Sequence, residues 1–166
     1  MDDWIKLNVD GCSKGNPGVV GADGVLWGKM GTWMGGFARN NGICSSVTAE
    51  LWAIYVGLQF TWEKGFRKVV LESDSSVVVE IIMRDKMSMN RNYNLIMQIK
   101  GLLGRDWEVK TLHVYREANC VAVWLANYGL TRDLVDKESD VLTEPPAGLY
   151  TLSYYDLIGA IVPRLI

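Results

Sequence analysis

The chain has 166 residues, of which 49% are hydrophobic and 22% charged, with a formal net charge of −2 and a pI of about 5.4. This composition excludes a disordered chain and suits one domain with a real core. The acidic balance excludes a surface that grips many phosphates by charge alone, so any hold on nucleic acid must be local, metal-assisted or shared with another domain.

Residues 4–10 alternate, with Ile5, Leu7 and Val9 on one face and Lys6, Asn8 and Asp10 on the other, as in a half-buried strand. Gly11 to Gly18 reads as a turn, strongest at Gly15-Asn16-Pro17-Gly18. Residues 19–40 read as two further strands joined near Gly28-Lys29, giving a three-stranded antiparallel start. The period then changes. Leu51, Tyr55, Leu58 and Trp62 recur at helical spacing over 46–64, with Ser46 or Thr48 as the cap and Gly65 as the stop.

Lys68 to Glu72 reads as a short buried strand, followed by Ser73-Asp74-Ser75 and a helical run from Val77 to Arg84. A polar stretch over 85–91 leads to a helix from Tyr93 to Leu103. Trp107 to Tyr115 reads as a strand, and Ala118 to Tyr128 as a helix ended by Gly129. Strand–helix alternation after a meander predicts an α/β domain over residues 1–130, with a mixed sheet and helices packed on it. Residues 131–166 read as a C-terminal extension packing on or beside that domain. The strand pattern begins almost at the first residue, as expected of one domain of a longer polypeptide.

Cys12, Cys44 and Cys120 lie far apart without a zinc-type or disulfide-type spacing, which predicts reduced thiols. No apolar run approaches the roughly 20 residues of a membrane helix, and the N-terminus carries no secretory pattern. The expectation is an intracellular protein, of nucleus or cytoplasm, with no membrane partner.

Each acidic residue has an ordinary explanation when taken singly. Asp10 ends a strand and suits a turn, Glu50 suits the first turn of a helix, and Asp74 suits a helix cap. Together they point elsewhere. The element order allows the first strand, the first helix and the fourth strand to bring Asp10, Glu50 and Asp74 to one edge of the sheet. Clustered carboxylates of this kind suit Mg²⁺ or Mn²⁺. Two such ions roughly 4 Å apart support phosphodiester hydrolysis without a nucleophilic side chain.

Five segments in this order resemble a known family: Lys6 to Gly11, Gly15 to Gly18, Thr48-Ala49-Glu50, Glu72 to Ser75, and His113 to Asn119. The chain resembles the ribonuclease H-like domain common in plant proteins and plant non-LTR retroelements. The resemblance covers residues 4 to about 130, and Glu144-Pro145-Pro146 and Pro163-Arg164 resemble the ends of such sequences. It implies a ribonuclease H-like fold of five mixed strands, three of them antiparallel at the start, flanked by helices. It also implies metal-dependent cleavage of the RNA strand of an RNA–DNA hybrid, leaving a 5′-phosphate and a 3′-hydroxyl. Asp10, Glu50 and Asp74 match three of the family's four metal-binding carboxylates. Gly15 and Asn16 match a loop that approaches the RNA backbone. Ser46 and Ser76 match small polar substrate contacts, and Asn119 matches a residue that orients the site. His113, the only histidine, matches a residue ten positions before the last carboxylate that helps proton transfer or product release.

The fourth carboxylate of the pattern falls on Val123, which has no ligand atom, and Cys120 stands where a cation is usual. Loss of a hard ligand predicts slower turnover, by several powers of ten if a few kcal/mol of transition-state stabilisation goes with it. The leading expectation is therefore a ribonuclease H-type endonuclease impaired at Val123. The alternative is a catalytically degenerate nucleic-acid-binding or interaction module derived from such an enzyme. An integrase-like nuclease fits the motif order less well.

Overall fold

The computed structural model describes residues 3–84, 91–130 and 140–149. The predicted polar stretch, apart from Arg91, and the closing Pro163-Arg164 lie outside these residues.

Strand β1 (Ile5–Gly15) pairs antiparallel with β2 (Gly18–Trp27), and β2 pairs antiparallel with β3 (Trp33–Cys44). The hairpin between β1 and β2 is tighter than the predicted turn. Gly11 to Lys14 are paired strand residues, and only Asn16 and Pro17 intervene between the last pair, Gly15 and Gly18. Strand β4 (Lys68–Ser73) runs parallel to β1, and β5 (Glu108–His113) runs parallel to β4. The sheet has six strands, not five, in the order β5-β4-β1-β2-β3-β6. The extra strand β6 (Asp140–Leu142) comes from the tail and pairs antiparallel with Gly36 to Ala38 of β3. A three-residue strand is too short to show a period, so only its pairing reveals it.

Helix α1 (Ser46–Glu63) packs on one face of the sheet with α3 (Tyr93–Leu103), while α2 (Ser76–Met83) contacts α1, α3 and β5. The cap of α1 is Ser45 rather than Ser46 or Thr48. Its Oγ accepts the Thr48 backbone N–H at 3.2 Å, so Ser46 is already helical and Thr48 carries the capped donor. Helix α4 (Cys120–Leu130) covers the opposite face. It runs through Gly129 instead of ending there, and Ala118 belongs to a short 3-10 turn, Arg116–Ala118, before it.

Strand β2 shows why both layers are needed. Ala22 and Leu26 join the core formed with Leu51, Ile54 and Leu58 of α1, whereas Val25 and Trp27 join a second core with Val121, Leu125 and Leu149. The period-2 alternation of a strand thus feeds two cores from one segment. Burying each such large side chain is worth about 1.5–3 kcal/mol.

Candidate metal centre

Strands β1 and β4 lie side by side and parallel, with Val9 opposite Ser73 as the last register pair. Asp10 and Asp74 are the next residue on each chain. Glu50 arrives from the first turns of α1, which press on β1 at Gly11. The Gly11 N–H donates to Glu50 Oε2 at 3.1 Å. One oxygen from each of Asp10, Glu50 and Asp74 falls within 4.8 Å of the others. The structure therefore brings the three predicted carboxylates together.

Like charges in a shielded place raise one another's affinity for protons. Asp10 is pushed up from 3.8 to about 7, by burial first and by the Asp74 carboxylate second. Glu50 is pushed up from 4.5 to about 9, by burial first and then by Asp10 and Asp74. Arg116 opposes both shifts, and its guanidinium stands 4.0 Å from Asp74 Oδ2. One exposed cation balances only part of the cluster. Asp10 Oδ2 is buried without a hydrogen-bond partner. A hard divalent cation fits this donor set: oxygen ligands only, excess negative charge and an unsatisfied carboxylate oxygen. No other such group of three or more candidate ligands occurs among the described residues.

Asn16 Oδ1 accepts the Ser46 N–H at 3.4 Å, which joins the exposed Gly15–Asn16 turn to the start of α1. Ser76 is exposed at the first residue of α2, two positions after Asp74. His113 ends β5 opposite Ser73, is exposed, and meets the Tyr115 ring edge-on at 5.9 Å. Asn119 is fully buried, and its Nδ2 donates to the Val9 carbonyl at 2.9 Å, beside Asp10.

Two further charged residues stand beside the centre. Arg116 lies within a quoted motif, but only the fold sets it beside Asp74. Asp23 is the register partner of Asp10 and has no exposed surface. Burial, followed by the Asp10 charge, holds it well above the usual carboxylate range, and the Arg39 main chain offsets this in part. Its signal in the sequence is an acid inside the run Val19 to Trp27, otherwise built of apolar residues and glycine.

A mixed sheet opening with three antiparallel strands, helices on both faces and three carboxylates at one edge define a ribonuclease H-like domain. A family model described as reverse transcriptase-like matches residues 8–129, and the chain belongs to that family. An Arabidopsis thaliana protein named "Putative ribonuclease H protein" is 42% identical over 161 residues, 97% of this chain. The chain spans about a quarter, 26%, of that relative's length. The N-terminal ribonuclease H domain of a Mycobacterium tuberculosis protein superposes with a TM-score of 0.72 at 26% identity, covering 78% of this chain and 94% of that one. Ribonuclease H1 of Halobacterium salinarum gives 0.72 at 25% identity, covering 76% and 97%. A compost-derived ribonuclease H1 solved with an RNA/DNA hybrid gives 0.69 at 22% identity, covering 75% and 94%, a likeness of fold alone.

Proposed function

We propose that this chain hydrolyses the RNA strand of RNA–DNA hybrids, using Mg²⁺ or Mn²⁺ held by Asp10, Glu50 and Asp74. The observation that carries this reading is the convergence of the three carboxylates within 4.8 Å. Such ions, when bound, stabilise the attacking and leaving oxygens of in-line phosphodiester hydrolysis, which leaves a 5′-phosphate and a 3′-hydroxyl. Glu50 is oriented by the Gly11 N–H. Arg116 moderates the charge on Asp74. His113, exposed at the rim, is the candidate for moving a proton or easing product release. Gly15, Asn16, Ser46 and Ser76 offer exposed or partly exposed polar groups to a hybrid recognised by shape and 2′-hydroxyls. Asn119 is buried, which suits a positioning role through Val9 better than direct contact with substrate.

Residues 1–130 form the nuclease domain in this reading, and 131–166 an extension lying on it. The β6 pairing and the packing of Leu149 support the placement of that extension against the domain. No described helix is long and apolar enough to cross a membrane. Three thiols and a hybrid substrate favour the nucleus or cytoplasm.

Val123 favours a second reading, a degenerate hybrid-binding or interaction module. Hybrid cleavage in Mg²⁺ and in Mn²⁺ by the wild type, Asp10→Asn and Val123→Asp separates the two. Cleavage that Asp10→Asn abolishes supports the nuclease. Silence in both metals, with activity gained by Val123→Asp, supports the degenerate module. Cleavage indifferent to Asp10→Asn removes the metal-site assignment.

A further inference from the structure

Asp23 has no exposed surface, and beyond the Arg39 main chain, which offsets its charge only in part, neither carboxylate oxygen meets a hydrogen-bond donor in good geometry. A buried acid left unsatisfied costs several kcal/mol and calls for a reason in a native fold. Its neighbours on the same strand give none, since Val20, Ala22, Val25 and Leu26 are apolar core.

Its register partner is Asp10. Directly opposed residues of an antiparallel pair project from the same face of the sheet. Asp23 and the unpartnered Oδ2 of Asp10 therefore share one buried face. That face lies under α4, as the packing of Val25 and Trp27 against Val121 and Leu125 shows.

Hydrogen bonds fix which part of α4 lies above. Asn119 Nδ2 reaches the Val9 carbonyl at 2.9 Å, and the Cys12 thiol reaches Asn127 Oδ1 at 3.6 Å. Positions 119, 123 and 127 follow one another at the four-residue spacing of a helix face. The Asn127 Nδ2 bond to the Val123 carbonyl, 2.9 Å, and the Val123 N–H bond to the Asn119 carbonyl, 3.1 Å, confirm that stripe. Val123 thus sits midway between contacts to residues on either side of Asp10. The helix presents an apolar side chain there, and the sheet beneath presents an acid.

We propose that Asp23 supplies from β2 the fourth carboxylate that α4 lacks at Val123, and forms with Asp10 a second divalent-cation position on the α4 side of the centre. The exchange keeps the number of carboxylates at four, which balances the charge of two divalent ions. The proposal rests on the reading of Asp10, Glu50 and Asp74 as metal ligands.

The test is Mn²⁺ titration of the full chain by calorimetry, without substrate, on wild type, Asp23→Asn, Asp23→Ala, Asp10→Asn, Val123→Asp and the Asp23→Asn/Val123→Asp double variant. Melting in EDTA checks the fold of each, and Asp23→Ala serves if Asp23→Asn does not fold. The expected result is a second Mn²⁺ event that weakens by roughly 10–100-fold on loss of the Asp23 carboxylate and returns in the double variant. Unchanged Mn²⁺ binding in folded Asp23→Asn or Asp23→Ala, with binding lost in Asp10→Asn, overturns this proposal alone and leaves Asp23 a buried neutral acid. Mn²⁺ binding unaffected by Asp10→Asn, or absent in the wild type, overturns the underlying metal site as well.

Discussion

Gly11 and Glu50 form the joint on which the centre is hung. The Gly11 N–H holds Glu50 Oε2, and a Cβ at Gly11 would lie 2.3 Å from the Glu50 backbone nitrogen and 2.4 Å from the Ala49 carbonyl carbon. Both obstacles are main chain of α1, so no side-chain rotation relieves them. Gly11→Ala must push α1 away from β1. The expected cost is about 1–3 kcal/mol by urea unfolding, with weaker Mn²⁺ binding because Glu50 moves with its helix. Unaltered stability and Mn²⁺ affinity would contradict the close approach.

The carboxylate cluster predicts an unusual pH dependence without metal. Asp10 and Glu50 bind protons in the folded chain up to about pH 7 and about pH 9, against ordinary values of 3.8 and 4.5. Between those limits the folded chain holds more protons than the unfolded one, so stability falls as pH rises. Asp23 acts in the same direction. Thermal melts in EDTA should show Tm declining from about pH 4 to about pH 9, with Asp10→Asn flattening the lower part of the slope. Mn²⁺ should restore most of the lost stability at the alkaline end, where the carboxylates are free to ligate. A Tm that rises steadily over that range would contradict the assignment.

Leu149 lies beyond the segment that the family model matches, yet it is fully buried in the second core with Val25, Trp27, Val121 and Leu125. Leu149→Ala should cost about 2–5 kcal/mol, measured by chemical unfolding. A loss below about 0.5 kcal/mol would show that residues after 130 lie outside the cooperative unit.

A net charge of −2 predicts that hybrid binding depends only weakly on salt. Binding measured from low to high salt should give a shallow log–log slope, with few phosphates neutralised. A slope like that of a protein making six to ten phosphate contacts, a loss of roughly 10³–10⁵ in affinity between 50 and 200 mM salt, would contradict it.

Several features were legible from the residues alone because they are local. The alternation of Ile5, Leu7 and Val9, the helical spacing from Leu51 to Trp62 and the acid at each element end identified the sheet start, α1 and the three carboxylates. Local patterns also mislead. Glycines at 11, 15 and 18 suggested a long turn, but cross-strand pairing keeps Gly11 to Lys14 extended. Ser46 and Thr48 looked like caps because any hydroxyl near a helix start does, and only the backbone shows that Ser45 holds the capping position.

What the sequence determined by itself is the kind of chemistry: which acids exist, their order along the chain and the absence of an acid at position 123. What only the tertiary structure decided is which groups meet. Asp23 is 13 residues from Asp10 along the chain, and a hairpin register makes them partners. Asn119 and Asn127 fasten α4 to Val9 and Cys12 through bonds spanning 110 and 115 residues. Alternation tells which face of a strand a residue occupies, but not which helix covers that face. Facing and covering are non-local, so the valine at position 123 can be read from the chain, while the pairing of Asp23 with Asp10 under α4 cannot.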